Sequence, residues 1–241
     1  MGMLALYNFQ ALINSDGLAS GENGFNNDIK YQLLANNYLF VLAFFGLLYA
    51  VFLGSRIAGR DIYTGHLGIL LCSYPSRAKY YLASLCAVSC FMFLVMAVMT
   101  ANLILLLGIF HIEYPLTEIL LAFLAQYLNA LVLLTATGMF SVLKPSAAPY
   151  LGLTGYAYFS LYTFNEIPFV RLPLIINVTQ YKDILGLFFP IRDVMIPSYT
   201  PPEVIQMYSI KTLGIPPELY QILFILVLGF FGTIAFVRKD L

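Results

Sequence analysis

Long apolar stretches without a single charge dominate the chain, and the ionisable residues gather between them. A helix needs about 20 mostly apolar residues to cross about 30 Å of hydrocarbon. Stretches free of Asp, Glu, Lys, Arg and His and long enough to do so run over 31–55, 80–110, 119–143, 145–165 and 219–237. They are rich in Leu, Phe, Ala and Val and lack the period-2 alternation of a membrane barrel strand. The pattern predicts an all-α integral membrane protein, a single domain over 1–241, with five full transmembrane helices over 38–56, 80–110, 117–143, 147–164 and 218–238.

Composition agrees: 61% of the residues are hydrophobic and 10% charged, against about 45–50% apolar and about 25% charged in a soluble domain. Twelve basic residues balance twelve acidic ones, so no global field points to nucleic acid as a partner. The placement of the charges is more informative. Arg56, Arg60, Arg77, Lys79, Lys144, Arg238 and Lys239 fall on one side of the predicted spans and meet only Asp61 and Asp240 there. The other side is mostly acidic. Because Lys and Arg near span ends are retained inside, the basic side is expected to be cytoplasmic at the cell membrane. The N-terminus is then outside and the C-terminus inside. Five crossings with those ends suggest that residues 1–13, which lack a basic signal-peptide start, are the outer end of a partial first helix.

Two connections stand out. The inner loop, 57–79, holds a charged turn, a short amphipathic helix over 63–73 and a proline break. The outer segment, 165–217, contains an apolar piece over 184–191, too short to cross and suited to a re-entrant position. It also contains a short helix opened by Pro201 and Pro202. The sequon at Asn177 is a candidate glycosylation site on that outer face.

The chemistry of a catalyst is missing. No charge lies near the centre of a span, where ion-coupled sites declare themselves. There is no phosphate-cradling Gly-rich loop with Lys and no G-x-S-x-G elbow. His66 and His111 fall on opposite sides, so no metal site is expected from them. Cys86 and Cys90, at helical i, i+4 spacing, read as small buried packing residues. No enzyme activity, cofactor or metal is therefore expected of this chain. Uncharged polar residues within the spans, Asn102, Gln126, Asn129, Thr154, Tyr158 and Tyr162, either line a pathway or tie helices together.

The inner loop carries a further signal. Asp61, Gly65, Leu70-Leu71, Pro75 and Ser76-Arg77, followed by a span, resemble the cytoplasmic loop of type-2 ABC transporter permeases. The ending Phe236-Val237-Arg238-Lys239 is also similar to the family's closing span. The resemblance implies a permease subunit, of exporter type, working as a homo- or heterodimer with a second permease subunit in membrane lipid. Separate ATP-binding subunits would hold ATP and Mg. It makes 63–73 the coupling helix, with Arg60, Asp61, Gly65, Leu70, Leu71, Pro75 and Arg77 at the contact with the ATPase. The alternative from another class is a non-transporting structural or anchoring subunit of a membrane complex.

Overall fold

The computed structural model describes residues 27–58, 61–62, 76–112, 114–166 and 217–239. Five helices account for nearly all of these residues, and no strand occurs among them. In chain order they are α1 (Asn27–Arg56), α2 (Arg77–Ile109), α3 (Leu116–Leu143), α4 (Ala148–Glu166) and α5 (Pro217–Arg238). Three are long and apolar enough to cross a membrane: Arg77–Ile109, Leu116–Leu143 and Glu218–Arg238. Val41–Arg56 adds a shorter apolar helix. At about 1.5 Å per residue, the 33 residues of α2 extend to about 50 Å and the 22 of α5 to about 33 Å.

The helix ends follow the sequence closely except at α1, which begins at Asn27 rather than near 38 and so includes Asp28 and Lys30. A charge stops burial in hydrocarbon but not the i→i−4 ladder, so the backbone helix continues past the apolar run. The partial first helix over 1–13, the coupling helix over 63–73, the outer segment over 167–216 and Asn177 lie outside the described residues.

The helix termini have identifiable causes. Ser76 caps α2, its Oγ accepting from the Lys79 N–H at 3.2 Å, the position at which a serine satisfies one of the four orphan donors. At the other end of α2, Ile112 N–H donates to Leu107 O at 3.0 Å and His111 N–H to Gly108 O at 3.1 Å. Those two bonds form a Schellman closure, and His111 takes the left-handed position with φ 52°. A glycine is at no disadvantage there, whereas a non-glycine residue is strained. His111→Gly is therefore expected to raise stability by about 0.5–1 kcal/mol, measured as a higher unfolding midpoint in mild detergent; an unchanged or lower midpoint would contradict the assignment.

Helix α3 stands at the centre, in contact with each of the other four. It buries residues on every side, from Ile119 and Phe123 to Ser141 and Val142. Around it α1 also meets α2 and α4, and α5 meets α2. Close approach needs small residues. A Cβ on Gly54 of α1 would lie 2.7 Å from the Leu134 carbonyl oxygen and 2.9 Å from Thr137 Cβ, both on α3. The outward faces of α2 and α5 carry exposed Leu94, Val98, Leu105, Leu226 and Phe230. Those surfaces have the chemistry of a lipid contact.

Candidate functional site at the basic end of the bundle

The C-termini of α1, α3 and α5 and the N-termini of α2 and α4 meet at one end of the bundle, where all the described basic residues except Lys30 are found: Arg56, Arg77, Lys79, Lys144, Arg238 and Lys239. The first turn of α2 carries Arg77 and Lys79, although cations there oppose the helix dipole. Arg77 has a partner that compensates: its Nη1 donates to the Lys239 carbonyl at 2.8 Å and, less closely, to that of Val237 at 3.5 Å. It thus caps orphan carbonyls at the end of α5. Lys239 in turn donates from Nζ to the Val142 carbonyl in the last turn of α3. One arginine and one lysine tie three helix ends into a chain.

Asp61, in the inner loop, accepts a hydrogen bond from the Tyr80 hydroxyl at 2.5 Å. Tyr80 stacks on Phe236 at a centroid distance of 5.9 Å and Tyr81 stacks on the same ring at 5.7 Å. Phe236 is fully buried, as is Tyr81. The Tyr81 hydroxyl reaches a notch at Gly232 of α5, where a Cβ would meet that hydroxyl and lie 3.0 Å from Tyr81 Cζ. Among the described residues that hydroxyl has no hydrogen-bond partner.

Both described ends of the inner loop are therefore bonded to the bundle. Asp61 joins α2 through Tyr80, and Arg77 joins α5 and, through Lys239, α3. Of the other loop residues expected at a partner contact, Arg60, Gly65, Leu70, Leu71 and Pro75 lie outside the described residues. No group of His, Cys, Asp or Glu among the described residues could hold a metal ion. What the described contacts do is tie the ends of the inner loop to three helices.

Over residues 5–241 the chain matches the family described as protein of unknown function (DUF2705). It belongs to DUF2705. No curated protein matches the chain, and no solved structure does. Membership of DUF2705 overturns the expected kinship with the type-2 ABC permeases. The residues that suggested it have general physical causes: a short amphipathic helix with Leu-Leu and a proline stop suits any interfacial connection, and a basic pair after a last span follows from charge retention.

Of the six polar residues singled out as pathway candidates, the four with described side chains fall in three separate places in this DUF2705 chain. Gln126 and Asn129 are buried on α3, 3.4 Å apart between Asn129 Nδ2 and Gln126 Oε1. Gln221 of α5 donates to Asn129 Oδ1 at 2.8 Å, giving three carboxamides in one buried cluster across two helices. Asn102 is exposed on α2, near the point where the Tyr38 hydroxyl of α1 donates to the Met99 carbonyl at 2.8 Å. Thr154 is exposed on α4 and donates to its own Tyr150 carbonyl at 2.9 Å. Tyr158 and Tyr162 are on α4, with side chains outside the described residues.

Cys86 and Cys90 are exposed on α2 rather than buried. Helix α2 packs along a narrow stripe of Tyr81, Met92, Met96, Leu103 and Leu107, and the i, i+4 pair falls away from it. Two residues went unnoticed in the sequence, Tyr80 and Gln221, and Phe236 and Lys239 were read only as parts of the closing motif and the basic side. A signal existed for the first two, the aromatic pair directly after the basic turn and the carboxamide near the start of the last span.

Proposed function

We propose that the protein is the membrane-embedded subunit of an energised complex, with all five helices crossing and the basic end in the cytoplasm. A separate nucleotide-hydrolysing partner grips the 57–79 loop there. Movement of the loop passes into the helices and switches access for a hydrophobic or amphipathic substrate, and the chain itself is not an enzyme. The observation that supports this most is the bonding of both loop ends, Asp61 to Tyr80 and Arg77 to the end of α5. A loop joined rigidly to several helices can transmit a push, whereas a loosely tethered one would dissipate it. The reading needs no kinship with the permease family, only a loop that is gripped and a bundle that follows it.

The test separates gripping from transmission. Tyr80→Phe removes the hydroxyl bonded to Asp61 but leaves the loop residues available to a partner. A hydrogen bond to a charged group contributes about 1.5–3 kcal/mol, so coupling is expected to fall about tenfold or more. The expected result is that a tagged wild-type chain co-purifies with a nucleotide-hydrolysing subunit whose turnover depends on the bundle. Tyr80→Phe should keep the subunit and lose most of that dependence. Purification with other membrane proteins but no such subunit would instead support an anchoring role. Labelling of a cysteine placed at Lys79 by an external, membrane-impermeant maleimide would overturn the orientation.

A further inference from the structure

On α1 the side chains at Phe45, Tyr49, Phe52 and Arg56 follow one another at four-, three- and four-residue steps, and all four are exposed. Such spacing sets them in a single stripe along the helix. Beside the stripe runs a cleft of about 320 Å³ between α1 and α2, floored on the α2 side by Met92, Met96 and Met99. That volume is in the range of small-molecule sites, about 300–1,000 Å³. Methionine side chains adapt to irregular flexible ligands.

Gly46 opens the cleft. A Cβ there would make only ordinary contacts, 3.8 Å to Met96 Cε and 3.9 Å to Met92 Cε, so helix packing does not demand the glycine. Lining residues on α1 run from Leu42 to Phe52, about 15 Å along the axis at 1.5 Å per residue. That is half of a hydrocarbon core about 30 Å thick, the depth of one leaflet. Arg56 follows Phe52 by one turn on the same stripe and forms no ion pair among the described residues. An apolar trench one leaflet deep therefore ends at an exposed guanidinium, a group that binds phosphate oxygens with two parallel donors.

We propose that the α1–α2 cleft is a binding site for an anionic phospholipid of the leaflet at the basic end. One acyl chain lies along Phe45, Tyr49 and Phe52 against the three methionines, and the headgroup phosphate sits at Arg56. The proposal depends on the bundle occupying a bilayer and not on any partner that grips the inner loop.

The test uses the full chain in vesicles of phosphatidylcholine doped with equal trace amounts of diazirine-bearing phosphatidylglycerol or diazirine-bearing phosphatidylcholine. Labelling of Met92–Met99 is mapped by mass spectrometry against the exposed Phe230 face of α5 as a control. In the wild type, the anionic probe is expected to label the cleft about fivefold more than the zwitterionic one. Arg56→Gln should bring the two probes close to equal while acyl labelling persists. Gly46→Leu, which fills the trench and favours helix, should abolish cleft labelling by both and leave the Phe230 face unchanged. Cleft labelling no stronger than at Phe230, or untouched by Gly46→Leu, overturns the proposal. So does cross-linking of the cleft to a second copy of the chain in place of lipid.

Discussion

Phe236→Ala is expected to destabilise the bundle by about 3–5 kcal/mol, the usual cost of truncating a fully buried phenylalanine. The ring is wholly buried and stacks on two tyrosines, at 5.9 Å and 5.7 Å. Removing it leaves a cavity beside Tyr80 and Tyr81 in the last turn of α5. The same turn presents the carbonyls that Arg77 caps, so α5 loosens where the helix ends are tied. The measurement is the unfolding midpoint of the purified chain in mild detergent, with proteolysis near the C-terminus as a local readout. Tyr81→Phe is the matched control: it keeps the ring and removes a buried hydroxyl that has no partner among the described residues. That variant should be neutral or more stable by up to about 1 kcal/mol. A loss below about 1 kcal/mol for Phe236→Ala would show that the stack does not hold α5 in place.

Gly54→Ala is expected to cost about 1–3 kcal/mol, the range for an added methyl in a well-packed core. The new Cβ would stand 2.7 Å from a carbonyl oxygen of α3 and 2.9 Å from Thr137 Cβ. A backbone oxygen cannot swing aside as a side-chain tip does, so α1 and α3 must separate. Position 46 on the same helix supplies the comparison. There the nearest atoms are methionine tips at 3.8 Å and beyond, and Gly46→Ala should be stabilising by up to about 1 kcal/mol through helix propensity alone. Opposite signs for the two alanines, read as midpoint shifts in the same detergent, are the expected outcome. Equal shifts would mean that α1 does not meet α3 at Gly54.

The helices were legible because hydrocarbon enforces a simple rule: every backbone polar group must be satisfied internally, which leaves long uncharged runs no alternative to helix in an α-type chain. The boundaries of α2, α3 and α5 follow from it within a few residues. The start of α1 does not, since Asp28 and Lys30 stand in its first turns. Charge marks the edge of the apolar layer, and the hydrogen-bond ladder runs on beyond it.

Within the bundle, the same residue types received different fates. Asn102 and Asn129 are alike as sequence, yet one is exposed on α2 and the other fully buried against Gln221. The basic Arg77 and Lys239 were readable as markers of a side, but not as caps for α5 and α3. Cys86 and Cys90 had the size of packing residues and face outward.

By itself, then, the sequence determined the helices found among the described residues and a basic end, and it predicted five full crossings where three of those helices are long and apolar enough to span a membrane. The tertiary structure decided that α3 is central, which glycines let helices touch, and that Asp61 and Arg77 bind the inner loop to the bundle. The division has a physical cause. Crossing hydrocarbon constrains each segment separately and is written in its composition, while spans apolar on all sides carry little record of which face meets a neighbour. That choice is made by the fit of small residues, rings and amides brought together from distant parts of the chain.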